Sequence, residues 1–281
     1  MTAEPVALPD RVRTVTVRRI AVRVSTRAAA GRYVNEPPLL LCNGIGVSLE
    51  VLQPFVDALH PHRGVVRFDV PGVGGSPLPP YPYTVAGLAS WVTALMASLG
   101  HTRFDVLGLS WGGGLAQQLA VQSPRRVRRV VLTATGTGWM MKPAHPRVLA
   151  KMMTPRRHRD PAYAASIAAE IYGGTMRSNP EVGASLLHAA TRSGPKRGYY
   201  YQLLAMTGWT SLPFLGLLRQ PTLVMGGKDD PIIPVENPLM QARLIPHARL
   251  HLYDGGHLGI VTEAAELAPV VDAFLDEELS A

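Results

Sequence analysis

Ser110 sits in Gly108-Leu109-Ser110-Trp111-Gly112, a Gly-x-Ser-x-Gly pentapeptide. The apolar run Phe104-Asp105-Val106-Leu107 before it reads as a buried strand, and Leu115, Ala116, Leu119 and Ala120 after it fall on one face of a helix. Between a strand and a helix this pattern makes a nucleophile elbow. The sharp turn strains the serine backbone, and close packing leaves no room for Cβ atoms at the flanking positions, hence glycine. The hydroxyl is held in the open. The helix start behind it offers free N–H groups and a positive dipole to a developing oxyanion. The pentapeptide alone is common, and its place between strand and helix is what makes it informative.

A serine hydroxyl is a weak nucleophile at neutral pH and needs a base, which in turn needs a group to fix its tautomer. In open parallel sheets such groups gather at the C-terminal ends of strands. Of nine histidines, His257 has that place, two glycines after the strand Arg249–Tyr253. His251 lies within that strand and His247 precedes it. His60, His62 and His101 are expected at the other side of the sheet, and His145, His158 and His188 fall in an irregular central segment. For the acid, the strand after the elbow helix ends in Thr133-Ala134-Thr135-Gly136, without a carboxylate. The next one leads into Asp229-Asp230-Pro231-Ile232-Ile233-Pro234. Asp230, followed by Pro-x-x-Pro, is the expected acid, and Asp229 is the alternative, with turn formation as its other role. Ser110, Asp230, His257 is the chain order of α/β-hydrolases.

The expected oxyanion hole combines the backbone N–H of Trp111 with that of Ile45, in the loop Asn43-Gly44-Ile45-Gly46 after the third strand. The chemistry these groups define is acyl transfer through an acyl-serine, with no metal or other cofactor required. No HExxH pattern or cysteine-based ligand set occurs, Gly44-Ile45-Gly46 lacks the third glycine of a dinucleotide loop, and Gly72 to Gly75 lacks the strand-to-helix context.

The rest of the chain has to position those groups. Its 281 residues, 47% hydrophobic and 17% charged, suit one large globular core. The net charge of +8 is carried mostly by arginines scattered over the N-terminal strands, Arg125 to Arg129 and Arg156 to Arg159. No basic helix or aromatic-interleaved patch points to nucleic acid, so solvated loop arginines are the expectation. Cys42, the single cysteine, sits in an apolar run and reads as a buried core residue. The N-terminus shows no basic start followed by a long apolar stretch, and no apolar run is long enough to span a membrane, so a cytoplasmic protein is expected.

Residues Arg11 to Thr26 alternate apolar and polar types, as in an antiparallel hairpin. Strands are then expected at Leu39–Cys42, Val65–Val70, the elbow and Val127–Thr133. Between them come helices starting at Ser48 and at Thr84, the second ending at Gly100, and the elbow helix. That alternation implies a mostly parallel sheet with helices on both faces. The rhythm breaks over 138–215, which reads as an inserted helical cap between core segments 1–137 and 216–281. It resumes with strands at Pro221–Met225 and Arg249–Tyr253 and a final helix carrying Leu267, Val270, Val271 and Phe274.

Several stretches together resemble the intracellular medium-chain-length poly(3-hydroxyalkanoate) depolymerases, within the α/β-hydrolase fold. They are Asn43-Gly44-Ile45-Gly46, Phe68 to Ser76, Ser110 to Gln118, Ile171-Tyr172-Gly173-Gly174, Gly198-Tyr199-Tyr200, Gly208-Trp209-Thr210-Ser211 and Arg219 to Val224. The family's Ser-Pro-Arg-Arg departs here at Thr154 and keeps Pro155-Arg156-Arg157. The resemblance runs from about Leu39 to Phe274. It implies a serine hydrolase acting on 3-hydroxyacyl esters of a storage polyester, with Ser110, Asp230 and His257 as triad and the granule surface as a place of action. Lys228 stands where the family pattern has an acidic or neutral residue. The competing readings are a carboxylesterase or lipase for small or medium acyl esters, a cofactor-free perhydrolase, and a non-catalytic granule-binding protein. Dehalogenases and epoxide hydrolases of this fold carry an aspartate where Ser110 stands.

Overall fold

The alternating N-terminal run forms a hairpin of β1 (Arg11–Val17) and β2 (Ile20–Arg27), with Val17 opposite Ile20. The computed structural model describes residues 9–179 and 194–278, so His188 lies outside the described residues. Strand β2 pairs antiparallel with β4 (Val65–Phe68). From there β3 (Leu39–Cys42), β5 (Phe104–Leu109), β6 (Val127–Thr133), β7 (Thr222–Gly227) and β8 (Ala248–Tyr253) run parallel. The eight strands lie in the order β1-β2-β4-β3-β5-β6-β7-β8.

The central strands are apolar on both faces because both faces are covered. Leu40, Cys42, Val106, Val130 and Leu132 pack on one side with α2 (Val85–Ser98) and α3 (Trp111–Gln122). Leu39, Leu41, Leu107, Leu109 and Val131 face the other, against α1 (Gln53–Ala58) and the C-terminal helix. The Thr84 hydroxyl caps α2 by accepting the Gly87 N–H, and at the other end Gly100 and His101 donate to Ala97 and Met96 in a Schellman closure. Ser48 stands at its expected cap position, but its hydroxyl accepts no helix amide. The chain first makes a 3-10 turn, Leu49–Leu52, so the predicted helix is split in two.

Between β6 and β7 the described residues contain α4 (Pro146–Met152), α5 (Pro161–Tyr172), α6 (Thr175–Ser178) and α7 (Lys196–Met206), and no strand. The two ends of this insertion meet at a single bridge, Gly138 to Thr210, where the Trp139 N–H donates to the Trp209 carbonyl. Val148, Ile167 and Ile171 form a further apolar cluster with Ile232, Ile233 and Leu258, which lie in the loops after β7 and β8. The chain closes with α8 (Glu236–Leu244), α9 (Gly259–Thr262) and α10 (Ala264–Asp276). Among the described residues no helix is long and apolar enough to cross a membrane.

The expectation of solvated arginines holds for Arg11, Arg13, Arg18, Arg19, Arg125, Arg156 and Arg159, which are exposed, and fails for a buried set. Arg27, Arg63, Arg67, Arg129 and Arg157 are buried. Arg63 pairs with Asp272 and Asp276 of α10, Arg67 with Asp10, and Arg128 with Asp105 at the start of the elbow strand. A guanidinium presents several donors in one plane, so it can leave water where carboxylates or carbonyls meet it. Arg27 does so with three carbonyls, of Arg63, Val56 and His60.

The hairpin loop is unusual. Arg18 and Arg19 both have positive φ, 48° and 65°, as in the two-residue turns that favour Asn and Gly. Arg19→Gly is therefore expected to stabilise the protein by about 0.5–1 kcal/mol, a rise of roughly 1–3 °C in Tm by thermal denaturation. A fall in Tm would show that the arginine side chain outweighs its backbone strain.

Candidate active site

Ser110 adopts φ 53°, ψ −118°. Its N–H donates to the Thr133 carbonyl (3.0 Å), and its own carbonyl accepts from Gly113 N–H (2.9 Å) and the Thr135 hydroxyl (2.7 Å). The glycines on either side are required by distance. A Cβ on Gly108 would lie 2.4 Å from the Gly112 oxygen, and one on Gly112 would lie 2.1 Å from the Cys42 oxygen. The start of α3 is thus pressed against β3 and β5, and Trp111 is its first residue, where an amide has no intrahelical partner.

The loops after β7 and β8 bring two further groups to this point. His257 Nε2 lies 3.0 Å from Ser110 Oγ, and His257 Nδ1 lies 2.8 Å from Asp230 Oδ2. The second Asp230 oxygen accepts the N–H groups of Ile232 (2.9 Å) and Ile233 (2.8 Å). Pro231 has no N–H and fixes the turn, so the next two amides point back at the carboxylate. Asp230 and His257 are both buried. The His257 N–H donates to the Tyr172 carbonyl (2.7 Å), and the two rings stack 6.4 Å apart.

The neighbouring acid is placed differently. Asp229 is exposed and takes a two-pronged bond from Arg177 (2.7 and 3.0 Å) and one from the Gly174 N–H (2.7 Å). The Arg177 hydrogen bond holds its carboxyl below the usual range. Lys228 points outward to Asp254 (2.7 Å) at the surface.

Ser110 and His257 open on a small cleft that is also lined by Gly44, Ile45, Tyr172 and Arg157. Gln202 of α7, fully buried, ties both expected oxyanion donors' surroundings together. Its side-chain oxygen accepts the Gly46 N–H (2.7 Å), and its carbonyl accepts the Trp111 indole N–H (2.9 Å). The sequence alone gives Gln202, Arg157, His158 and Tyr172 no role at the site. For Gln202 the helical spacing hints at burial but not at a role. Tyr199, Gln202 and Ala205 recur every three residues and are buried, whereas Tyr200 and Leu204 are exposed. His158 lines the same cleft, and burial, with Arg157 beside it, holds its pKa well below the ordinary histidine value.

A family model described as alpha/beta hydrolase fold matches residues 37–264, and the chain belongs to this family. A poly(3-hydroxyalkanoate) depolymerase from Ectopseudomonas oleovorans is 45% identical over 96% of this chain and 94% of its own. Among solved structures, the enol-lactonase from Burkholderia xenovorans superimposes with a TM-score of 0.79 at 25% identity, covering 94% of this chain and 100% of that one. An alpha/beta hydrolase fold protein from Chitinophaga pinensis reaches 0.80 at 21% identity over 98% of this chain and all of its own, a likeness of fold.

The geometry separates the two candidate acids by experiment. Asp230→Asn is expected to lower kcat on a p-nitrophenyl acyl ester by about 10⁴-fold, as when a triad acid is replaced. Asp229→Asn should change stability by about 0.5 kcal/mol and leave turnover within a few-fold. Equal losses would return Asp229 to consideration. His158 also gives a pH prediction. Its folded pKa is depressed, so below about 6.5 the unfolded chain binds a proton that the folded chain refuses, and stability falls as pH drops. His158→Gln should flatten the dependence of Tm on pH between 7 and 5, and an unchanged slope would contradict it.

Proposed function

We propose that this chain is a serine hydrolase that cleaves the ester bonds of a medium-chain-length poly(3-hydroxyalkanoate) storage polyester. The observation that carries the chemistry is the continuous relay Asp230–His257–Ser110 at the mouth of the cleft. The polyester substrate is supported by the 45% identity to the depolymerase along nearly the whole chain.

Ser110 Oγ attacks the ester carbonyl while His257 Nε2 takes its proton. Asp230 holds Nδ1–H and stabilises the imidazolium. The tetrahedral oxyanion is received by the N–H groups of Trp111 and Ile45, each contributing about 3–4 kcal/mol to the transition state. The ester C–O bond then breaks, and the leaving alkoxide takes the proton from His257. Water, activated by the same histidine, hydrolyses the acyl-serine. Residues 138–215 act as a cap over the core segments 1–137 and 216–281. Trp139, Met140, Met153 and Leu204 of this segment are all more than half exposed, which suits contact with an amorphous polymer at a granule in the cytoplasm. A second reading, hydrolysis of small acyl esters, is favoured by the modest size of the cleft.

The deciding experiment is release of 3-hydroxy acids from an amorphous medium-chain polyester suspension by wild type and Ser110→Ala. Release by wild type alone is expected. If wild type hydrolyses p-nitrophenyl octanoate but leaves the polymer intact, the small-ester reading replaces the polyester one. If Ser110→Ala retains activity on both, the serine mechanism is wrong.

A further inference from the structure

Arg157 lines the cleft that holds Ser110 and His257, and it is the one permanently charged side chain among the described residues that do so. It is 7% exposed. One terminal nitrogen donates to the Tyr199 hydroxyl (2.9 Å), which itself donates to the Met152 carbonyl, and to the Thr154 carbonyl (3.4 Å). The Tyr172 hydroxyl also approaches it. Among the described residues no carboxylate pairs with it, and its Nε is buried with no hydrogen-bond partner.

Of the other buried arginines, Arg63 and Arg67 meet carboxylates, Arg27 meets three carbonyls and Arg129 meets the Glu277 carbonyl. Arg157 is the one of the five that lines the cleft of Ser110 and His257. Removing a guanidinium from water without an anion is costly. A guanidinium with an unpartnered Nε, in the same largely apolar cleft as the nucleophile, offers a place for an anion. A planar carboxylate matches the guanidinium fork. His158, the next residue, is held neutral and adds no competing charge.

A 3-hydroxyacyl chain has one free carboxylate, at its carboxyl end, and it lies only three bonds from the oxygen of the last ester. We infer that Arg157 binds this terminal carboxylate, so that the protein cleaves chains and soluble oligomers from the carboxyl end, one 3-hydroxy acid at a time. The inference rests on the polyester reading. In the step, Ser110 Oγ bonds to the carbonyl carbon of the last ester, and that ester's C–O bond to the terminal unit breaks. That unit's oxygen takes the proton from His257. It departs as a 3-hydroxy acid whose carboxylate has remained on Arg157, and water then frees the shortened chain from the serine.

The test compares the dimer 3-hydroxyoctanoyl-3-hydroxyoctanoate with the same dimer ending in a carboxamide. Wild type should favour the acid in kcat/KM by about tenfold or more, and Arg157→Gln should bring the ratio near one. A wild-type ratio near one, or a ratio that survives in Arg157→Gln, overturns the inference; the wild-type comparison holds even if the variant misfolds. Calorimetric titration of 3-hydroxyoctanoate and 3-hydroxyoctanamide into Ser110→Ala reads the anion preference without turnover. Tight binding of the acid alone with no hydrolysis of either dimer would sink the polyester reading and keep the carboxylate site. Hydrolysis of both dimers at equal rates would do the reverse.

Discussion

The first turn of α3 lies in backbone contact with the end of β3, and the placement of Ser110 against His257 depends on that contact. With side chains at positions 108 and 112 the helix would be pushed away from the sheet, because each Cβ would overlap a backbone oxygen. At this close approach Ser110 sits at positive φ, a sparsely populated conformation that costs a non-glycine residue about 1–3 kcal/mol. The surrounding fold sustains it. Thr133 and Thr135 at the end of β6 bind the serine's own N–H and carbonyl. The apolar residues of β3, β5 and β6, packed on both faces, fix the three strand ends relative to one another.

The second constraint comes from the insertion. Gly173 and Gly174, both at positive φ, bring their backbone against Asp229 on one side and Gly255 and Gly256 on the other. The loop carrying the acid and the loop carrying the histidine are therefore braced by the same two residues. The bond from Gly174 and Arg177 to Asp229 fixes the residue beside the acid, and the Tyr172 carbonyl fixes the backbone of the histidine. Ile232, Ile233 and Leu258, which share the insertion's apolar cluster, extend that brace. The segment between β6 and β7 thus helps to fix the loops that carry Asp230 and His257.

The sheet, its helices and the order of the three polar groups were legible because each depends on local signals. Leu39–Cys42 and Val127–Thr133 are short apolar runs, Thr84 and Gly100 bracket a helix by cap chemistry, and Gly108 and Gly112 report a close approach. Asp230 was favoured by its Pro-x-x-Pro sequel, and the structure gives that pattern a physical basis in the two amides that reach back to the carboxylate. Arg157 and Gln202 were not legible in the same way. Their roles come from contacts across long stretches of sequence, Gln202 with Gly46 and Trp111, Arg157 with Tyr199. Charge counting likewise misread the arginines, since composition is blind to which of them meet a carboxylate in the interior.

The bridge between Gly138 and Thr210 has an architectural consequence. A segment whose two ends leave the sheet side by side is closed at its base, so its length and internal layout are decoupled from the spacing of β6 and β7. Material can be added, trimmed or exchanged there without moving a strand, while Ser110 keeps its place.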